Sequence, residues 1–372
     1  MTRSKNMPLR KPKVTQGLIA KEAGVSQTLV SLVLNNASSP ERVADETRKR
    51  ILETARALGY QIKGSGLRKK TLALILPMVS RAERLDTAIY ASIEDFYART
   101  QKFVTEAAYR KGYSLIVRFC DQPAELTHWL TEWEVDGVLW NASDEKLLEW
   151  ISQRFPTAQL HFGEGSAPID LVTANQEEIP SLALDFLHKR GHRRICFVPG
   201  VAWGRVTEIR AAACRQRAKA LGVTVYDQFL KESDVASSWD ILSDCLRLME
   251  LPASGRPTAF VLGDPAALPL ARELQKRGFA IPKDVSIMGI DNLSAGNWYN
   301  PPLTSIDVCQ REVSEAAVAM VVARIANPDQ RCQKVFISPE VVERESVADI
   351  TSEAGVSPGA DVTCVSGELV EI

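Results

Sequence analysis

Residues Val14–Asn35 read VTQGLIAKEAGVSQTLVSLVLN. Thr15 precedes a short amphipathic run in which Ile19 and Ala23 lie four apart on one helical face. Gly24 stops that run, because glycine tolerates the left-handed backbone that follows a helix end. Ser26 then caps a second helix from Gln27 to about Asn35. Val30, Val33 and Leu34 form its apolar side, and Gln27, Thr28 and Ser31 point elsewhere. A third helix is expected from about Asp45 to Leu58, with Ile51, Leu52, Ala55 and Leu58 inward and Gly59 as terminator. Three short helices bury only a small core. Two of them joined by a tight turn present one helix to a DNA major groove. The alternative is a helical hairpin with no partner.

Charge favours DNA. Residues 1–71 hold 15 Lys and Arg against 5 Asp and Glu, whereas the other 301 residues hold 30 against 41. A basic head attracts phosphates by counterion release, and an acidic body keeps the rest of the chain off the duplex.

The body has a different pattern. Leu72-Ala73-Leu74-Ile75-Leu76 is a continuous apolar run, as expected for a strand buried on both faces. Further strands are expected at Tyr113–Phe119, Gly137–Trp140, Ala158–Phe162, Ile195–Val198, Ala259–Leu262 and Val285–Ile290. Helical stretches alternate with them at 96–111, 143–155, 176–190, 205–221, 236–250, 265–277 and 310–326. Such alternation means parallel sheets flanked by helices. The stretch is too long for one sheet, so two similar lobes with a cleft are expected. Ligands of open α/β sheets bind at the carboxyl ends of strands, which would face that cleft. The fold class is therefore α plus α/β. It comprises a basic disordered arm (1–13), a three-helix helix-turn-helix head (14–60), a hinge (61–71), a two-lobed effector and dimerisation domain (72–348) and a disordered tail (349–372). The tail carries five acidic residues and no Lys or Arg.

Enzymatic chemistry finds little support. His128, His161, His188 and His192 show no metal-ligand spacing, and His192 reads as a structural residue at a turn into a strand. No P-loop, G-x-S-x-G elbow or G-x-G-x-x-G follows a strand. Glu177-Glu178 read as a helix start, where carboxylates suit the dipole. No cofactor or metal is expected. Seven dispersed cysteines without C-x-x-C fit reduced thiols in the cytoplasm. No stretch approaches the roughly 20 apolar residues of a membrane span, and the basic N-terminus has no apolar export core. A cytoplasmic protein is expected, in contrast to a periplasmic binding protein with the same body.

The order of residues resembles the lactose-repressor/galactose-repressor family of bacterial transcription regulators, which implies a bacterial, nucleoid-associated protein. The motifs that carry the resemblance are Val14-Thr15, Ile19-Ala20, Ala23-Gly24-Val25-Ser26, Val30-Ser31, Val33-Leu34-Asn35, Thr47-Arg48 and Leu58-Gly59-Tyr60. In the body they continue with Gly191-His192-Arg193-Arg194-Ile195, Gly289-Ile290-Asp291-Asn292, Pro301-Pro302-Leu303-Thr304-Ser305 and Arg344-Glu345-Ser346. The resemblance implies that Gln27 and Thr28 read bases, which suits an amide and a hydroxyl in the major groove. Thr15, Ser26, Ser31 and Asn35 fall at phosphate-contacting or capping positions. Leu29 and Leu32 depart from the family's Thr and Arg. The hinge departs further, since Gln61–Thr71 lacks the usual Pro, Asn and Ala-Arg and contains Gly64 and Gly66. Leu67 is its one candidate minor-groove wedge, and a weak or absent hinge helix is expected.

By the same resemblance, Arg210 and Asp291 hydrogen-bond effector hydroxyls, as charged groups can hold neighbouring oxygens of a polyol. Ala213 and Cys214 replace the Gly and aromatic that usually follow that Arg, and Gly263 replaces an Asn. Asp264 is either an effector contact or a helix cap near Pro265. Trp140, Trp203 and Trp298 either stack on a sugar or belong to core or lobe contacts. Tyr97, just beyond a stretch at 80–94 that reads as an inserted loop, joins the effector set. The implied function is a sequence-specific repressor. A homodimer binds a near-palindromic double-stranded operator, and a small-molecule effector, a carbohydrate, controls it allosterically from the cleft. The alternative is a stand-alone cytosolic sugar-binding module that has lost operator specificity. A sugar-processing enzyme stands third.

Overall fold

Two six-stranded sheets dominate the computed structural model, which describes residues 14–34, 43–58, 60, 70–77, 87–120, 126, 129–130, 135–142, 144–161, 169–200, 205–226 and 238–351. Ahead of them stands a helical head of α1 (Gln16–Ala23), α2 (Gln27–Leu34) and α3 (Asp45–Ala57). The Thr15 side chain accepts the Leu18 N–H, and Gly24 closes α1 with φ 65°. The Ser26 hydroxyl accepts the Leu29 N–H at 3.2 Å and so starts α2. α1 and α2 meet at 110°, the crossing of a helix-turn-helix. Ile19, Ala23, Val30, Val33, Leu34, Ile51 and Ala55 close the core, as the spacing predicts. Among the described residues, no single helix is long and apolar enough to cross a membrane.

The first lobe contains β1 (Thr71–Pro77), α4 (Thr87–Arg110), β2 (Ser114–Cys120), β3 (Gly137–Trp140), α5 (Glu145–Ser152), β4 (Thr157–Leu160) and β5 (Asp170–Ala174). The second contains α6 (Glu178–Lys189), β6 (Arg194–Phe197), α7 (Arg205–Leu221), β7 (Thr224–Val225), α8 (Ser238–Leu248), β8 (Ala259–Gly263), α9 (Asp264–Lys276), β9 (Ser286–Ile290), α10 (Ser294–Trp298) and β10 (Thr304–Asp307). The chain then returns to the first lobe with α11 (Gln310–Ala326) and β11 (Lys334–Ile337), and ends in the second with β12 (Glu340–Val342). The sheet orders are β11-β5-β4-β3-β1-β2 and β12-β10-β9-β8-β6-β7. All pairs are parallel except β10 with β12.

The chain thus passes between lobes three times, after β5, β10 and β11. These crossings are stitched together. The Asn175 N–H donates to Ile337 O at 2.8 Å, and the Cys309 thiol donates to Ser338 O at 3.3 Å. α11 covers the first sheet with Val313, Ala317, Val318 and Val321 against Leu72, Leu74 and Leu76. Its Arg324 forks onto the fully buried Asp170 at 2.6 and 2.9 Å.

Three expectations change. α4 begins at Thr87, so residues 87–94, read as part of an inserted loop, are helical. β5, β7, β10, β11 and β12 have no counterpart among the expected strands, being short or, for β11 and β12, partly exposed. The body also continues past 348, because the Ile350 N–H donates to Arg190 O at 2.9 Å. His192 is structural as expected. Its ring is buried and contacts Thr258 Oγ1 at 2.9 Å and Ala348 O at 3.2 Å. The arm, most of the hinge, and residues 352–372 lie outside the described residues.

Candidate functional site

Hydrogen bonds tie residues at the carboxyl ends of first-lobe strands to α7 of the second lobe. Asn141 directly follows β3, and its N–H donates to Ile75 O at 2.9 Å. Asn141 is fully buried, yet its side-chain Nδ2 and Oδ1 have no partner among the described residues. The same holds for the indole Nε1 of Trp140 and for Nε2 of His161, the residue after β4. Leaving such atoms unpaired costs about 1–3 kcal/mol each, so a cluster of them at strand ends marks a place where a polar ligand belongs. His161 adopts φ 67°, and its ring meets the Phe96 ring edge-on at 5.2 Å. Burial pulls its pKa down to about 3, so the imidazole is neutral at physiological pH.

The second lobe supplies charge. Arg210, on α7, is held by two acceptors: Nε donates to Gln176 Oε1 at 2.9 Å and Nη1 to Pro199 O at 3.1 Å. Gln176 in turn donates to Thr173 Oγ1 at 3.2 Å, and that hydroxyl donates to His161 O at 3.3 Å. A chain of hydrogen bonds therefore links the His161 turn in one lobe to the guanidinium in the other. Asp291 follows β9 with φ 102°, a strained backbone for a side-chain-bearing residue. Burial pushes its carboxyl up to about 6, Arg210 and Arg99 pull it back, and Asp307 pushes it further. Tyr97, on α4, is pushed up to about 12 by burial and by the neighbouring Asp291. The next residue, Asn292, ties the lobes. Its carbonyl accepts Arg99 Nη1 at 2.6 Å, and its side chain joins Arg344 (2.6 Å) and Asp307 (2.8 Å).

The structure brings together Tyr97, Arg210 and Asp291 from the expected effector set and corrects two others. Trp140 is fully buried among Ala73, Ile75, Leu147 and Ile151, so its ring faces are taken by core and only Nε1 is left for a ligand. Asp264 is also fully buried, and both oxygens are occupied, by the Leu293 N–H at 2.6 Å and the Ser305 hydroxyl at 2.8 Å. It makes no side-chain cap, since α9 begins at Asp264 itself. It anchors the loop that carries Asp291. Trp203 lies outside the described residues, and Trp298 is 88 % exposed on α10, neither core nor lobe contact. Sequence reasoning passed over Asn141, His161 and Gln176. Their signal was positional: each is a polar residue placed directly, or within two positions, after an apolar strand.

Burial first, and then Asp291, raise the Asp264 carboxyl to about 8. A carboxyl raised in the folded state contributes stability that is fully present below its ordinary pKa of 3.8 and lost as pH rises through about 8. Asp264→Asn stays neutral throughout. The unfolding free energy of the native protein relative to this variant is expected to fall from about pH 4 to about pH 8 in urea titrations. A flat difference would remove the buried, proton-holding role.

A groove of about 770 Å³ lies elsewhere, between α6 and α7. Its charges satisfy one another, as in Arg205–Glu208 at 3.4 Å, and Arg217 pairs with Asp185. It holds none of the orphaned atoms. Among the described residues, no group of three or more His, Cys, Asp or Glu could hold a metal ion.

On the head, Gln27 and Thr28 are exposed at the start of α2. Thr15 and Ser26 use their hydroxyls as caps, Ser31 is half-buried, and Asn35 and Leu67 lie outside the described residues. Residues 19–62 match the family model for bacterial regulatory proteins of the lacI family, and residues 184–347 match a periplasmic binding protein-like domain. The HTH-type transcriptional repressor PurR of Aliivibrio fischeri (strain MJ11) is 31% identical over 345 residues, covering 88% of this chain and 97% of the relative. The chain belongs to the lacI family of regulators. Its Vibrio cholerae (strain M66-2) relative of the same description is 28% identical over 345 residues, covering 90% of this chain and 98% of the relative. Two solved structures share the fold of this lacI-family chain. A transcriptional regulator CelR–cellobiose complex has a TM-score of 0.63 at 22% identity. A lac repressor dimer bound to operator and the anti-inducer ONPF has 0.58 at 19%. Each covers 90% of this chain and is itself covered to 99%. As a member of this family of DNA-binding transcriptional repressors, the protein carries its helix-turn-helix in α1 and α2 and its periplasmic-binding-protein-like fold in the two lobes. The family match ends at residue 62, where the departures in the hinge begin.

Proposed function

We propose that this chain is a repressor that binds a near-palindromic operator as a homodimer and is controlled by an uncharged carbohydrate in the cleft between its lobes. The observation that carries the effector reading is the set of orphaned polar atoms on Trp140, Asn141 and His161 at the ends of two paired strands, with the His161 turn hydrogen-bonded through Thr173 and Gln176 to Arg210. An amide, an indole N–H and a neutral imidazole offer donors and acceptors without net charge. Arg210 acts directly on Asp291, and neighbouring hydroxyls of a sugar can bridge such a pair. The cellobiose-bound relative supports the reading by fold alone. The lac repressor dimer bound to operator supports the homodimer reading by fold alone.

The test is selection of bound duplexes from a random pool by the full-length protein, followed by operator titrations with a panel of neutral mono- and disaccharides. An enriched near-palindrome and at least one sugar that shifts operator affinity are expected. Selection of no sequence would sink the operator reading, and indifference to every sugar would sink the carbohydrate one. The pH dependence of the sugar response is also set by Asp291. Its carboxyl accepts hydroxyl hydrogen bonds more strongly, and at both oxygens, when ionised, so apparent sugar affinity is expected to weaken as pH falls through about 6. Equal affinity at pH 5 and pH 7.5 would remove Asp291 from the contact.

A further inference from the structure

We infer that α4 is a strap between the lobes: its leading part fastens the second lobe to the first beside His161 and Asp291, and release of that fastening opens the effector site. The inference rests on the effector reading above.

α4 has 24 residues, about 36 Å of helix. β1 has 7 residues and spans about 23 Å. The trailing part of α4 lies on the first sheet, with Val104, Ala107 and Ala108 in one cluster with Leu72, Leu74 and Leu76. The helix is thus longer than its own lobe requires. The excess includes residues 87–94, within the stretch that reads as an insertion. α4 packs against α9 of the second lobe as well as against α11.

The turn from Asp95 to Thr100 makes the join. Asp95 Oδ2 accepts the Ser294 N–H at 3.3 Å, and Arg99 Nη1 donates to Asn292 O at 2.6 Å. Phe96 packs against the second-lobe cluster that holds Ile195, Ile290 and Ile306, while its ring meets His161 of the first lobe at 5.2 Å. Tyr97 neighbours Asp291. Gln310, where the chain crosses after β10, donates from Nε2 to Phe96 O and to Thr100 Oγ1, both at 2.7 Å.

These ties differ in kind. Gln310 sits on the crossing chain itself, which suits a pivot. The bonds of Asp95 and Arg99 to the 292–294 loop exist only while the lobes hold this arrangement. The Arg99 bond is charge-assisted and so the stronger of the two. Losing it should raise the ratio of released to fastened molecules about tenfold or more. Release of the same turn also withdraws Phe96 from His161 and Tyr97 from Asp291, so strap and site open together.

The experiment is iodoacetamide labelling of the full-length protein, without sugar or DNA, resolved by peptide mass spectrometry. The thiol of His161→Cys is expected to react about tenfold faster when Arg99→Met is added. The exposed Cys332 should keep its rate, and the buried Cys196 should stay unlabelled. Equal labelling of His161→Cys with and without Arg99→Met would overturn the strap. Acceleration that extends to Cys196 would also overturn it, because α4 would then hold the fold and not the opening. Hydrogen exchange of the native protein needs no variant to fold. Amides of residues 88–100 and of Ser294 are expected to open as one unit, ahead of residues 101–110 of the same helix. Uniform protection along α4 would contradict the inference. Neither readout uses a sugar, so the strap can fail while the carbohydrate reading stands, and a sugar panel without effect leaves the strap as measured.

Discussion

Arg210→Ala protein is expected to hold its operator with near-native affinity and to lose its response to effector. The guanidinium is fixed by Gln176 and Pro199, so it meets the cleft already oriented. Hydrogen bonds to a charged group contribute about 1.5–3 kcal/mol each. Losing this group should weaken effector binding roughly 100-fold, the upper part of that range. A second effect adds to the first. Arg210 is the leading electrostatic influence that keeps Asp291 ionised against burial, so its removal raises a carboxyl that already stands at about 6. At neutral pH the variant therefore loses a donor and part of an acceptor together. Arg210→Lys restores the charge without the planar fork and should recover only part of the affinity. Operator titration by fluorescence anisotropy, with and without the responding sugar, separates the two functions. Simultaneous loss of operator binding would mean that Arg210 holds the lobes together and does not act as an effector contact.

Gly289→Ala is expected to destabilise the second lobe by about 4 kcal/mol. This joins the cost of overpacking, about 1–3 kcal/mol, to that of broken buried hydrogen bonds, about 1–3 kcal/mol. A Cβ at this position would lie 1.9 Å from Asp264 Oδ1, 2.8 Å from Ser305 Oγ and 2.9 Å from Leu303 Cδ2. Asp264 has nowhere to retreat. It is fully buried, and its oxygens hold Leu293 and Ser305. Pushing it aside unmakes both bonds and frees the loop that positions Asp291. The clash explains why glycine opens the Gly289-Ile290-Asp291-Asn292 motif: the role is close approach of a strand to a buried carboxyl, with no demand on φ. Urea unfolding should show a lower midpoint, or the variant should fail to accumulate as folded protein. An unchanged midpoint would mean that Asp264 can move at little cost.

The head was legible almost residue by residue because each feature is local. Thr15, Gly24 and Ser26 cap or close helices whose apolar positions repeat at helical spacing, and nothing distant is needed to place them. The alternation of strands and helices likewise fixed the two lobes, and α7 and α11 fall on the stretches expected for them. β11 and β12 were invisible because they are short, with exposed residues, and gain their place only by pairing with β5 and β10 far earlier in the chain. The same limit applies to the site. Arg210 and Asp291 stood out through their motifs, whereas Asn141, His161 and Gln176 acquire meaning only when two sheets point their strand ends at each other. Asp264 and Trp140 were misread for the opposite reason. Both stand at strand ends, but each turns into the interior, and sequence order carries no sign of that direction.

On the proposed reading, a ligand held by Asn141, His161, Arg210 and Asp291 sets operator affinity. The most direct measurement is operator affinity of the full-length protein across the panel of neutral sugars, repeated with Asn141→Ala and Arg210→Ala. At least one sugar is expected to change native affinity by about 5–150-fold, the usual span of allosteric coupling. Both variants, one from each lobe, are expected to shift that response to much higher sugar concentration. A native response that either variant reproduces at the same concentration would place the effector somewhere other than this cleft.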